Sequence, residues 1–139
     1  MIVPARLGHV LRVARNLDPE ILDRARALGR DPRREMRRSF VESTRTFALL
    51  IDGKVAAVGG WKGTLLSGEA EAWLAITPEA RTQRFPLARA VVAEARRLKD
   101  CGVRITAWVL DDDERARCFA SFCGLDPTEV TLDGFRLHG

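Results

Sequence analysis

The chain has 139 residues, of which 46% are apolar and 30% charged, the proportions of a single globular domain spanning 1–139. A disordered tail, a collagen-like fibre and a multidomain enzyme are thereby excluded. No tyrosine occurs anywhere in the sequence, so a mechanism that needs a phenolic acid is excluded as well.

No stretch approaches the about 18 apolar residues of a membrane span, and the opening MIVPARLGHV lacks the apolar run of a signal peptide. The expectation is a cytoplasmic protein with no membrane partner. Cys101, Cys118 and Cys123 are odd in number and have no CxxC spacing, and only His9 and His138 could join them as nitrogen ligands. Neither a disulfide framework nor a metal site is predicted.

The formal charge of +4 is unevenly spread: residues 1–45 carry 11 Arg against 6 acids, a balance of +5, and the remainder carries −1. Among the 23 basic residues only Lys54, Lys62 and Lys99 are lysine. That preference follows from codon use in a GC-rich genome as readily as from bidentate phosphate contacts, so the basic balance does not by itself predict nucleic-acid binding.

In chain order, Asp18 is a good N-cap, Pro19 suits a first helical turn, and Ile21, Leu22, Ala25 and Leu28 recur at helical spacing before Gly29. Asp31 and Pro32 repeat the device and open a second helix through RREMRRSFVE, with Met36 and Phe40 on one face. Thr46–Ile51 and Val55–Trp61 then read as strands joined by Asp52, Gly53 and Lys54, a hairpin signal because Asp and Gly tolerate positive φ. Gly63–Gly68 reads as a loop and Glu69–Ile76 as a third strand.

After Thr77 and Pro78 a polar connection, ARTQRF, leads into a helix from about Pro86 to Lys99, with Leu87, Val91, Val92, Ala95 and Leu98 as its apolar stripe. Gly102 stops it. Val103–Leu110 is a strand, Asp111–Cys123 a short helix capped by Gly124, and Val130–Leu137 supplies one or two final strands. The resulting order, ααβββαβαβ, predicts an α/β (α+β) fold with a mixed sheet. The strand at 69–76 and that at 103–110 form a locally parallel pair across the crossover helix.

Several residues fall along this order in a recognisable sequence. They are Gly59-Gly60 at the end of the hairpin, Trp73 in the next strand, the Arg84-Phe85 step into a long basic helix and Trp108-Val109 in the following strand. Phe119 to Gly124 and Asp133-Gly134-Phe135 complete the set. Together they resemble the GCN5-related N-acetyltransferase (GNAT) fold over nearly the whole chain. Within it they are most similar to the GNAT-like internal virion proteins of podophages and their prophage relatives.

The resemblance implies acetyl-CoA or CoA as cofactor, held by a pyrophosphate loop R/Q-x-x-G-x-G/A whose glycines admit the phosphates to backbone N–H groups at a helix start. The matching window is Arg81-Thr82-Gln83-Arg84-Phe85-Pro86. Arg84 and Pro86 stand at the glycine positions, the first bulky and the second without an N–H donor. The family's pattern F-Y-x-x-x-G-F, whose tyrosine protonates the departing thiolate, here reads Phe119-Ala120-Ser121-Phe122-Cys123-Gly124-Leu125, with Ala120 at the tyrosine position. Asp113 aligns with the usual asparagine inside the acidic run 111–114, which should repel an anionic cofactor.

Glu71 lies on the strand face of Trp73 and resembles the base that relays an amine proton through water in this fold; alternatively it is an exposed strand carboxylate. Arg81, Arg84 and Arg89 flank the start of the central helix and could bind a diphosphate through guanidinium groups, or simply face water. Ile76 and Leu87 complete the cofactor-binding set that the resemblance implies. The box Arg33-Arg34-Glu35-Met36-Arg37-Arg38 has no aromatic or glycine interleaving for base stacking, so a solvated face or a contact with an acidic neighbour is favoured over nucleic acid. Cys118 and Cys123 read as small apolar fillers, and Trp61, Trp73 and Trp108 as core.

Two functions follow. One is an acyl-CoA-dependent N-acetyltransferase acting on a small-molecule or protein amine, with Glu71 as its base. The other is a non-catalytic phage or prophage virion or assembly protein, in host cytoplasm or virion, that uses the GNAT scaffold to contact virion partners.

Overall fold

Among the described residues, 1–64 and 66–139, the computed structural model contains seven strands, five α-helices and one 3₁₀ segment. They run β1 (Ile2–Pro4), α1 (Leu7–Arg15), α2 (Pro19–Ala27), α3 (Pro32–Glu42), β2 (Arg45–Ile51), β3 (Lys54–Thr64) and β4 (Glu69–Ile76). The 3₁₀ turn (Pro78–Gln83) leads into α4 (Arg84–Asp100), followed by β5 (Arg104–Leu110), α5 (Glu114–Phe122), β6 (Pro127–Leu132) and β7 (Phe135–His138). The strands order as β1-β2-β3-β4-β5-β7-β6 in a mixed sheet whose parallel pair is β4–β5. The expected α/β class and parallel crossover are both present.

Local chemistry explains the element starts. Three helices open on an aspartate: Asp18 accepts from the Glu20 N–H at 3.0 Å, Asp31 from Arg34 at 3.2 Å and Asp113 from Ala116 at 3.0 Å. Proline follows the first two caps, where its missing N–H costs nothing. Both tight hairpins turn on Asp-Gly, with φ of 50° and 78° at Asp52-Gly53 and 50° and 84° at Asp133-Gly134. Positive φ at both central residues matches the right-handed twist of the flanking strands.

The chain divides into two compact units, Met1–Lys62 with Leu74–Arg84, and Gly63–Trp73 with Phe85–Gly139. In the first, β2 pairs antiparallel with β1 (Ile2↔Leu49) and with β3 (Thr46↔Gly60). Val10 and Val13 of α1 and Val58 of β3 are fully buried, and Met36 is the buried residue of α3. Arg33 donates from Nε to the Ala14 carbonyl at 2.6 Å, so α3 satisfies one of the open carbonyls at the end of α1.

In the second unit β5 pairs parallel with β4 over Glu69–Ala72 and antiparallel with β7, which pairs in turn with β6. Ala120 of α5 lies in a cluster with Val109 and Leu125, against Ile105, Ala107 and Ala116. His138, 1% exposed, faces the Leu125 carbonyl through Nδ1 at 3.1 Å. A carbonyl can only accept, so Nδ1 carries the proton.

The structure departs from the sequence reading at several points. Residues 2–15 form β1 and α1, which the sequence reading leaves out, although Leu7, Val10, Leu11 and Ala14 of α1 recur at helical spacing. The polar connection is a 3₁₀ turn, and α4 begins at Arg84 rather than Pro86. The expected loop at Gly63–Gly68 is strand as far as Thr64 and turn from 66, while Leu65 lies outside the described residues. Two terminal strands form, joined at Asp133-Gly134. Trp61 is buried as expected of core, whereas Trp73 and Trp108 are only partly buried.

Gly60 sits opposite Thr46, where an added Cβ would run into the Arg45 carbonyl oxygen and the Thr46 Cα, both backbone atoms that cannot rotate away. Gly60→Ala should therefore lower the urea-unfolding free energy by about 1–3 kcal/mol, as overpacking does. Gly8→Ala in α1, with nothing within 4 Å of its Cβ, should leave stability equal or slightly raised.

Candidate functional site

The first unit holds Ile76, Arg81 and Arg84. Thr77 donates both its N–H (2.8 Å) and its hydroxyl (2.9 Å) to the Ala56 carbonyl, fixing the end of β4 to β3. One residue earlier, the Ile76 carbonyl accepts the Asp18 N–H at 3.0 Å. Asp18 is 2% exposed, and its Oδ2 lies 2.6 Å from the Arg81 guanidinium, which also reaches Glu20 at 3.3 Å. Arg81, the one loop residue kept from the family pattern, is thus neutralised by two carboxylates. Arg84 is exposed at the first position of α4 and is itself engaged in an interaction. On the 3₁₀ turn, the Glu79 carboxyl is held below its ordinary range chiefly by a hydrogen bond from its own backbone N–H.

The junction divides its work between a cap and a charge. Asp18→Asn keeps a cap oxygen and loses the charge facing Arg81, whose side chain is one-third exposed. It should cost about 1 kcal/mol, and Asp18→Ala, losing the cap too, about 2–3 kcal/mol. Chemical denaturation of the two variants checks the difference.

The second unit holds Glu71, Leu87 and Arg89. Glu71 is exposed on β4, in register with Thr106 of β5. The parallel ladder is short: it ends at Ala72↔Ala107, whereas β4 runs on to Ile76 and β5 to Leu110. On α4, Arg89 is exposed and Leu87 is buried. Pro86, in the first turn, removes one N–H that a phosphate could have used. Phe85 stacks edge-to-face on Phe122, ring centres 5.8 Å apart, although each ring is more than half exposed. This pair links the start of α4 to the end of α5, and sequence reasoning missed it, since no local pattern joins residues so far apart.

At the family's tyrosine position Ala120 is 6% exposed, its methyl group turned into the Val109–Leu125 cluster. No proton donor stands there. The acidic run beside it is partly spent within the protein: Arg136 holds Asp111 from Nε at 3.0 Å and from a terminal nitrogen at 3.3 Å, and Asp113 caps α5. Asp111 and Asp113 are therefore committed to local structure, and Asp112 is engaged in an interaction of its own.

Among the described residues no group of three or more His, Cys, Asp or Glu could hold a metal ion, and no helix is long and apolar enough to cross a membrane. Burial pushes the Cys123 thiol up to about 11, so it is neutral and inert near pH 7. Cys101 and Cys118 are exposed. The native protein should take up two equivalents of iodoacetamide near pH 8, the third only after unfolding; mass spectrometry of the labelled chain reads the count.

No protein-family model matches the sequence, and no curated protein matches it. Solved structures do match in three dimensions. The GNAT domain of PAT from S. lividans superposes with a TM-score of 0.71 at 17% identity, over 99% of this chain and 87% of that one. The ribosomal-protein-S18-alanine N-acetyltransferase from Escherichia coli gives 0.65 at 17% identity, over 99% and 88%. The PaiA N-acetyltransferase from Thermoplasma acidophilum, solved in complex with coenzyme A, gives 0.66 at 16% identity, over 99% and 96%. At such identities the likeness is one of fold, and the fold is that of the GNAT acetyltransferases.

Proposed function

We propose that this chain binds acyl-CoA and transfers the acyl group to a primary amine, with Glu71 as the base. The observation that carries the reading is the parallel β4–β5 ladder, paired from Glu69↔Arg104 to Ala72↔Ala107, with Glu71 exposed on it. The fold is shared with a neighbour solved in complex with coenzyme A.

The donor set at the start of α4 fits a diphosphate through guanidinium groups rather than glycine-loop amides. Arg89 is exposed there, whereas Arg81 is committed to Asp18 and Glu20. Bound acyl-CoA would supply an acyl group activated as a thioester. Glu71, exposed on β4, would accept a proton from an incoming ammonium group at its carboxylate, directly or through one water. With Ala120 buried and no tyrosine in the chain, α5 contributes no phenolic acid, so transfer is expected to be slow.

Calorimetric titration with acetyl-CoA and with CoA tests the reading. Saturable binding is expected, weakened about tenfold, or 1.4 kcal/mol, by Arg89→Ala. Glu71→Gln should leave that affinity unchanged while lowering amine acetylation about 100-fold. Absence of heat from either compound at high micromolar concentration overturns it. The narrower likeness to internal virion proteins rests on sequence order alone, and a non-catalytic assembly role is the reading such a failure would leave.

A further inference from the structure

We propose that the outward face of α3 is a docking surface for an acidic, partly apolar segment of another protein. The proposal is independent of the acyltransfer reading and rests on the first unit alone. Arg34, Arg37, Arg38 and Val41 occur at i, i+3, i+4 and i+7, which places them on one stripe of the helix. All four are exposed, Val41 to 78%. With Glu42 they line an open depression of about 450 Å³.

The remainder of the helix is already committed. Met36 is buried, Arg33 holds the Ala14 carbonyl, and Glu35 pairs with Arg30 at 2.7 Å. Glu42, four residues beyond Arg38 and well placed to neutralise it, instead faces Lys62 at 3.6 Å. The guanidinium groups of Arg34, Arg37 and Arg38 consequently have no acidic partner among the described residues.

For an isolated helix this arrangement is unfavourable twice over. Arg34 repels Arg37 and Arg38 across one turn, and it sits in the first turn, where the helix dipole disfavours positive charge. A carboxylate laid along the stripe removes both penalties, through charge-assisted and, for arginine, bidentate hydrogen bonds. The structure therefore presents an unsatisfied cationic row with an apolar residue at its end.

Three features favour a protein segment over nucleic acid. Val41 offers an isopropyl group that a phosphodiester chain does not use but a leucine-like side chain does. The row ends at the Glu42 carboxylate, which opposes a continuing line of phosphates. The stripe also contains no aromatic ring on which a base could stack. The partner that fits carries carboxylates spaced at three and four residues, with one apolar side chain a further turn along.

The test uses the full chain and a fluorescein-labelled amphipathic helical peptide of Glu, Asp and Leu with that spacing, at physiological ionic strength. Saturable binding is expected, weakened at least about tenfold by Arg34→Glu/Arg38→Glu and several-fold by Val41→Ser. The charge-reversed variant should unfold at an equal or higher temperature, because like-charge repulsion is relieved. A lower unfolding temperature would mean that these arginines hold the fold, and would overturn the proposal. So would peptide binding indifferent to the substitutions, tighter binding to a DNA oligonucleotide than to the peptide, or a dimer of this chain that the same substitutions dissolve.

Discussion

The first unit depends on one buried aspartate. Asp18 caps α2 through Oδ1, gives its N–H to the Ile76 carbonyl at the end of β4, and turns Oδ2 to Arg81 on the following 3₁₀ turn. A carboxylate that is 2% exposed is tolerable only when its charge is answered. Here the Glu20 amide hydrogen-bonds Oδ1, while the Arg81 guanidinium, 2.6 Å from Oδ2, answers the charge as an ion pair and leaves Oδ2 without an aligned hydrogen bond. Since Thr77 is also tied to Ala56, the strand end is held from two sides.

That constraint decides what Arg81 is available to do. In the family pattern an arginine at this position introduces a phosphate-binding loop, but an arginine pinned between Asp18 and Glu20 has its charge answered and its direction set. The loop glycines are absent as well. On the proposed reading, the start of α4 would hold an anion through guanidinium groups such as that of Arg89 in place of backbone amides, and such groups are longer, more mobile and less selective for one phosphate position.

Elements whose signals are local were legible in the sequence. Asp-Pro at 18–19 and 31–32 announces helices because cap and first turn are set within three residues, and Asp52-Gly53 announces a hairpin for the same reason. Asp133-Gly134 carries the identical turn signal and joins two strands in the same way. By contrast, β1 is only three residues long and is a strand because β2 supplies its hydrogen bonds. Helix α1 opens on Arg6, a residue with no capping tendency, whose N–H is accepted by the His9 ring at 3.1 Å. Contacts between distant residues were invisible for a related reason: nothing near Asp18 points to Arg81, and nothing near Phe85 points to Phe122.

The missing tyrosine shows the difference between an absence in composition and an absence in structure. A count of zero excludes a phenol but does not say whether its place stands open. Ala120 answers that, since its side chain is packed into the Val109–Leu125 cluster. A phenol introduced there would have to displace core side chains, an overpacking of about 1–3 kcal/mol, before its hydroxyl could serve any acceptor. The alanine is thus built into the way α5 seats on β5, and a phenol at this position requires a change in the packing of the helix, beyond the exchange of one residue.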